Sequence, residues 1–239
     1  MKELNSFKQG IKDGIPICLG YISVAFAFGI FATQSGLSII QALLISMTNV
    51  TSAGQLAAVP IIISHGTFLE LCVCQFVINL RYALMSVSLS QKLGKNVRLF
   101  QRLLISFVNT DEVFAVASGK KEYVGKKYLY GLILMPYIGW SMGTLLGASA
   151  GNILPESIIS ALGIAIYGMF VAIVIPEAKK DRPTLLCVIV SIILSFIFVF
   201  VPVLKTIPQG FAIIICAVLS SGLLALIAPI EKKEAITNE

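Results

Sequence analysis

Charged side chains are scarce in this sequence. Only 13% of its 239 residues are Asp, Glu, Lys or Arg, and 57% are hydrophobic, whereas soluble domains carry about 25% charged residues. Mean hydropathy is +0.91. This balance excludes a disordered tail, a secreted disulfide scaffold and an ordinary soluble enzyme. It predicts an all-α, polytopic integral membrane protein, because a membrane span needs about 20 apolar residues and the chain has room for seven or eight of them.

Residues that serve metal or nucleophilic chemistry are also few. The chain has one His, at position 65, and five Cys that all lie inside apolar runs, where they are expected to pack as small hydrophobic side chains. No nucleophile elbow, Walker loop or zinc-protease motif occurs. We therefore expect no enzymatic activity, no catalytic residue, no cofactor and no metal site.

The cations that are present fall into short clusters. Sixteen of the 18 Lys and Arg residues lie within 2–12, 92–102, 120–127, 179–182 and 232–233. Basic clusters between apolar segments are typical of the positive-inside rule. They predict contact with a lipid bilayer rather than with nucleic acid, and a multi-pass protein whose N- and C-termini are both cytoplasmic.

The apolar runs predict seven to eight hydrophobic helical segments, some of which do not cross the membrane. Their limits are 15–33, 38–64, 67–91, 103–118, 128–150, 157–175, 184–203 and 207–229. Polar residues interrupt the second run near 48–55 and the fourth at 109–112, so both are predicted to be broken or re-entrant helices. The runs in the second half have no charge in their interiors.

The basic clusters leave two topologies open, because successive cytoplasmic clusters must be separated by an even number of crossings. Either 92–102 lies outside and the chain has eight spans, or two segments of the first half re-enter without crossing. Residues 38–43 resemble 157–162, which raises the hypothesis of an internal repeat. We expect a single membrane transport domain over 1–239, with a site-bearing half at 1–120 and a framework half at 121–239.

Four ionisable residues fall inside apolar segments: Glu70, Arg81, Asp111 and Glu112. A charge at a helix centre costs about 2.5–3.5 kcal/mol on insertion scales, so such residues face a cavity or a partner. Glu70 lies about 16 Å from Arg81 along a helix and cannot pair with it. Arg81 therefore needs Asp111 or Glu112. The alternatives are a role in substrate or proton handling and an ion pair that only fixes helix packing.

The two polar interruptions are predicted to line a site. Four consecutive polar residues, 109–112, sweep roughly 300° around a helix, so they cannot all face one protein interface. A broken helix at 49–55 would expose backbone N–H groups at one end and carbonyls at the other, which suits a carboxylate or an ammonium group. A plain kink at 49–55 and an interfacial helix over 98–127 are the alternatives.

Glycines repeat at every fourth position in the fifth segment, at Gly139, Gly143, Gly147 and Gly151. This spacing puts small residues along one helix face and lets another helix approach closely. The pattern predicts helix packing rather than ligand binding.

Short motifs in order along the chain carry a resemblance to a known family. They are Asp13-Gly14-Ile15-Pro16, Ser52-Ala53-Gly54-Gln55-Leu56-Ala57, Asn79-Leu80-Arg81-Tyr82 and Asn109-Thr110-Asp111-Glu112-Val113-Phe114, together with the glycine repeat. The chain resembles the AzlC family, the large subunits of two-component branched-chain amino acid exporters. Tyr82 departs from the family pattern, since many relatives have His there. The resemblance implies export of apolar amino acids and a small, separately encoded AzlD-type membrane partner.

The polar features and the resemblance together select the candidate residues. The predicted substrate-binding residues are Asn49, Ser52, Gly54, Gln55, Asn79, Arg81, Asn109, Thr110, Asp111 and Glu112. The predicted proton-coupling residues are Glu70, Asp111 and Glu112.

The function predicted from these residues is secondary transport driven by the proton gradient, in the bacterial cytoplasmic (inner) membrane. The substrate is expected to be a zwitterion, with its carboxylate on Arg81 or on the N–H groups of the broken helix. Asp111 or Glu112 would then bind its ammonium group. The alternative is a membrane scaffold or sensor that does not transport and whose charges only join helices.

Overall fold

The computed structural model describes residues 3–94, 97–151 and 181–228, and separate positions between 154 and 179. It divides into two compact units, Met1–Tyr167 and Gly168–Glu239. Among the described helices, five are long and apolar enough to span a membrane. The predicted segment 157–175 and the basic cluster 232–233 lie mostly or wholly outside the described residues.

Helices α1 (Phe7–Gln34) and α7 (Lys126–Ala150) form the centre of the first unit. They run parallel, since Gly10 lies beside Tyr128 and Gly29 lies beside Thr144. The glycine repeat of α7 faces α1: an ideal Cβ would lie 2.6 Å from the Cys18 carbonyl oxygen at Gly139 and 2.5 Å from that of Ile22 at Gly143. The two backbones therefore touch along this seam, as the spacing of small residues predicts.

The second apolar run is broken into two helices. Helix α2 spans Ile39–Thr48 and α3 spans Ser52–Ile63. Ser38 and Gln41 form a reciprocal capping box at the start of α2, whereas no side chain caps the amino end of α3 at Thr51. Helix α4 (Phe68–Ser90) follows and runs antiparallel to α3, because Gln75 reaches Gly54 while Tyr82 reaches Thr51.

The fourth run is broken in the same way, into α5 (Leu99–Phe107) and α6 (Asp111–Ser118). Two short strands depart from the all-α prediction: β1 (Glu3–Leu4) pairs in parallel with β2 (Tyr123–Val124). Leu93, just beyond α4, also bridges Val124. The amino terminus, the end of α4 and the loop after α6 therefore lie at the same end of this unit.

Helix α1 begins eight residues earlier than the apolar run that predicted it. Its first turns carry Lys8, Lys12 and Asp13, and Ser6 caps it by accepting a hydrogen bond from the Gln9 backbone. The carboxylate of Asp13 pairs with Lys120 at 2.7 Å and accepts a hydrogen bond from the Tyr128 hydroxyl at 2.8 Å. These partners compensate the charge that hydropathy alone counts against a helix.

The second unit contains α8 (Arg182–Phe200) and α9 (Gln209–Ile227), which pack on each other. Asp181 caps α8 by accepting hydrogen bonds from the backbone N–H of Thr184 at 3.0 Å and from its hydroxyl at 2.6 Å. These two hydrogen bonds lower the pKa of Asp181 below its usual value.

Candidate functional site

The two helix breaks of the first unit face one small cavity of about 180 Å³. Residues of the first break, Thr48 to Thr51, line it together with Asn109 and Thr110 of the second. Asn79, Tyr82, Ser106 and Phe107 complete the lining. Carboxyl ends of α2 and α5 and amino ends of α3 and α6 thus meet around one space, so backbone carbonyls and N–H groups without helical partners surround it.

The first break is held open by an amide network from α4. The Gln75 side chain accepts a hydrogen bond from the Asn49 amide at 2.9 Å and donates one to the Gly54 carbonyl at 2.8 Å. The Asn79 amide donates to the same side-chain oxygen of Gln75 at 3.2 Å. Gln75 thereby joins the end of α2, the start of α3 and a residue that lines the cavity.

A buried polar contact fixes the same break to α7. Ser46 donates to the Gln55 side chain at 3.1 Å and shares a 2.5 Å hydrogen bond with Thr144. All three residues are buried. Because each side chain has a polar partner, the contact satisfies groups that would otherwise be costly to bury. Gln55 and Gly54 lie outside the lining of the cavity and shape the break behind it.

Arg81 and Asp111 form an ion pair at 2.8 Å, with side chains 52% and 45% exposed. Arg81 also donates to the Tyr82 hydroxyl at 3.0 Å and lies over the Tyr82 ring. Tyr82 in turn donates to the hydroxyl of Thr51 at 3.3 Å. A chain of contacts therefore links the amino end of α6 with the amino end of α3 along one wall of the cavity.

Glu112 takes a different partner, since it accepts a hydrogen bond from the hydroxyl of Tyr21 on α1. Tyr21 packs edge-on against Trp140 of α7, with ring centroids 4.9 Å apart. Both acidic residues in the first turn of α6 are therefore engaged, at a position where acidic side chains suit the positive end of a helix dipole.

Two polar side chains of the cavity have an unmet hydrogen-bonding need among the described residues: the hydroxyl of Thr110 and the side-chain oxygen of Asn109 are both buried without a partner. Asn109 is 3% exposed. Its amide donates to the Ser86 hydroxyl at 3.1 Å, so its side-chain oxygen is the atom left unpaired. A buried acceptor left unpaired costs about 1–3 kcal/mol, so this atom is a candidate contact for a bound donor.

The predicted site residues occupy four different places. Those that line the cavity are Asn49, Asn79, Asn109 and Thr110. Arg81, Asp111 and Glu112 lie outside the lining and make the contacts described above. Ser52, Gly54 and Gln55 lie at or just behind the amino end of α3. Glu70 is buried in the first turn of α4, nine residues and about 13 Å along the helix from Asn79.

The predicted site residues left out several that build this site, among them four polar residues whose contacts hold it together: Tyr21, Ser46, Gln75 and Tyr82. Each is a polar residue within an apolar helix, which was the available signal. Their roles depend on which helices pack together, and a single-helix pattern does not contain that information.

Comparison with known proteins places this arrangement in a family. The family described as AzlC protein matches residues 16–154, which include both breaks, the cavity and the glycine repeat. The chain belongs to the AzlC family. An uncharacterized membrane protein of Archaeoglobus fulgidus is 34% identical over 175 residues, covering 72% of this chain and 76% of that protein.

Other AzlC relatives are also membrane proteins. The inner membrane protein YgaZ of Escherichia coli K12 is 27% identical over 195 residues, covering 79% of each chain. An uncharacterized membrane protein of Helicobacter pylori is 25% identical over 152 residues, covering 62% of this chain and 66% of that one. No solved structure matches the chain.

Proposed function

We propose that this AzlC protein is the large subunit of a secondary transporter that exports branched-chain or similar apolar amino acids. The observation that carries the proposal is the cavity of about 180 Å³ bordered by four helix ends. Discontinuous helices are the usual way in which transporters bind small charged groups within a bilayer. Drug-sized ligands fill pockets of about 300–1,000 Å³, so a cavity of this size suits a molecule as small as an amino acid.

The pairing of the short strands supports a topology for the first half. Leu93 and Val124 are paired, and Val124 belongs to the strand beside Leu4, so three basic regions share one end of the unit. The positive-inside rule makes that end cytoplasmic. In this topology α2–α3 and α5–α6 re-enter from opposite sides without crossing, and the protein lies in the bacterial cytoplasmic membrane with both termini inside.

The outer face of α4 supports a membrane partner. Among the described residues, only 11% of its most apolar window is buried, and the side chains of the Arg81–Asp111 pair are about half exposed there. A charge pair that faces hydrocarbon is costly, so a polar surface is expected to cover it. A small AzlD-type subunit is the proposed partner.

Proton coupling is proposed for Asp111 and Glu112, with Glu70 as a further candidate. A proton can bind to the carboxylate of Asp111 only when the ion pair with Arg81 opens. Such an opening would connect the ion pair to the cavity through Tyr82 and Thr51, which already join them.

Proteoliposomes that contain both subunits test the proposed function directly. They are loaded with labelled leucine, and efflux is followed with and without an inward proton gradient. We expect the gradient to accelerate efflux in the parent protein, and Arg81→Ala and Asp111→Asn to abolish that acceleration. Leu99→Ala, at an exposed position on α5, is the matched control for expression and reconstitution.

The outcome of this experiment decides whether Arg81 and Asp111 take part in transport. Efflux that is unchanged in both variants, at equal protein levels, would remove Arg81 and Asp111 from the mechanism. The absence of leucine efflux from the parent complex would contradict the transport function and favour a scaffold or sensor.

A further inference from the structure

The two helix amino ends at the cavity differ in whether nearby acidic side chains compensate their partial positive charge. Helix α6 has Asp111 and Glu112 in its first turn, so its amino end is compensated by two carboxylates. Helix α3 has no acidic residue in its first turn and no side-chain cap. Its N-cap residue, Thr51, lines the cavity. The amino end of α3 is therefore the uncompensated positive helix end at this site.

The second break offers a hydrogen-bond acceptor instead of a positive helix end. Within the described part of the chain, the side-chain oxygen of Asn109 and the hydroxyl of Thr110 are buried without hydrogen-bond partners, and both residues line the same cavity. An amide oxygen only accepts hydrogen bonds, so Asn109 specifically lacks a donor. The carboxyl ends of α2 and α5 add a partial negative charge. This side of the cavity suits a group that donates hydrogen bonds and carries positive charge.

The acidic residues near the cavity are already occupied. Asp111 is paired with Arg81 at 2.8 Å, and Glu112 accepts the hydroxyl of Tyr21. Neither residue lines the cavity, nor does Arg81. The charged side chains therefore lie outside the lining of the cavity and already have partners, whereas the polar residues that line the cavity are uncharged.

We propose that the substrate is held by the helix breaks themselves: its carboxylate binds the backbone N–H groups at the amino end of α3, and its ammonium group binds the side-chain oxygen of Asn109. This inference rests on the proposed amino acid substrate and gives that substrate an orientation. The ion pair Arg81–Asp111 then acts beside the bound zwitterion rather than upon it.

A proline at Ser52 tests the carboxylate position, since it removes the N–H at the first helical residue. Proline is tolerated at that position because its fixed φ suits the first turn of a helix. Thr51 has φ −150° and ψ 121°, an extended conformation that a following proline accepts. Leu99→Pro at the start of α5 is the matched control: Arg98 is extended at φ −72° and ψ 160°, and Leu99 is 73% exposed.

Binding is measured by isothermal titration of the purified full-length protein, with its partner subunit present. The probes are leucine, 4-methylpentanoate, which lacks the ammonium group, and 3-methylbutylamine, which lacks the carboxylate. We expect Ser52→Pro to weaken leucine and 4-methylpentanoate about tenfold or more and to leave 3-methylbutylamine unchanged, because a hydrogen bond to a charged group is lost. Asn109→Leu is expected to weaken leucine and 3-methylbutylamine only.

The test compares how much each variant weakens 4-methylpentanoate and 3-methylbutylamine, because a general loss of stability would weaken both analogues alike. Ser52→Ala keeps the N–H and removes the hydroxyl, so it is expected to lose less affinity for 4-methylpentanoate than Ser52→Pro. Equal losses for both analogues in Ser52→Pro, with Leu99→Pro unaffected, would overturn the orientation alone. Failure of the parent protein to bind leucine and both analogues would instead refute the proposed substrate class, and the orientation with it.

Discussion

Adding a single methyl group to the α1–α7 seam should destabilise the protein sharply at Gly147. An ideal Cβ there would meet the Phe26 carbonyl group and would lie 2.8 Å from the Phe26 Cα atom. Contacts below 3.0 Å with backbone cannot be relieved by rotating a side chain, so the two helices must separate. Overpacking of this kind costs about 1–3 kcal/mol, and separation also loses the contacts of neighbouring small residues.

The control for this substitution is Gly20→Ala on α1. A Cβ at Gly20 would have no neighbour within 4 Å among the described residues, and alanine is a better helix former than glycine by about 1 kcal/mol. Gly151→Ala is an intermediate case, because its Cβ would approach the Thr33 side chain, at 2.8 Å, rather than backbone.

The assay is unfolding in mixed micelles by increasing sodium dodecyl sulfate, followed by tryptophan fluorescence. Trp140 is the sole Trp of the chain and lies in the same seam. We expect Gly147→Ala to unfold at a clearly lower detergent fraction than the parent, Gly151→Ala to lie between them, and Gly20→Ala to match or exceed the parent. Equal midpoints for Gly147→Ala and Gly20→Ala would refute close backbone contact between α1 and α7.

Three further predictions concern polar contacts. Replacing Gln75 with Leu removes the network that spans the first break, so we expect a loss of about 1–3 kcal/mol in micellar unfolding, whereas an unchanged midpoint would show that the network is not structural. Lys120→Met leaves the carboxylate of Asp13 without its cation, and we expect faster proteolysis of the loop after α6, which the double variant with Asp13→Asn should partly reverse. Because hydrogen bonds lower the pKa of Asp181, its cap stabilises α8 at neutral pH and weakens as the pH falls through that lowered pKa; Asp181→Asn should flatten the pH dependence of thermal unfolding below the usual aspartate pKa.

Hydropathy predicts the long helices because it reports a property of each segment by itself. Helices α4 and α7 begin and end within two residues of the apolar runs that predicted them. The breaks were also predictable, because clustered polar residues in an apolar run cannot all find partners on one helix face. Arg81 required an acidic partner, and its depth in the membrane indicated Asp111 or Glu112; the structure pairs it with Asp111.

Other features depend on contacts between distant parts of the chain. The pairing of Leu4 with Val124 joins residues 120 positions apart through two-residue strands, which are too short to produce a sequence pattern. The early start of α1 places Asp13 where Lys120 pairs with its charge and Tyr128 donates a hydrogen bond to it. The role of Gln75 depends on the packing of α4 against α2 and α3, since its side chain binds Asn49 after α2 and Gly54 in α3.

Substrate protection of a cysteine in the cavity tests most directly that the two breaks form the binding site. Ser106→Cys is made in a variant that lacks the five native cysteines, since Ser106 lines the cavity between the breaks. Ser88→Cys is the control, because Ser88 lines a separate cavity of about 400 Å³. Saturating leucine should slow the reaction of a thiol reagent at position 106 and leave the rate at position 88 unchanged. Equal rates at position 106 with and without leucine, in a protein that transports leucine, would place the substrate elsewhere.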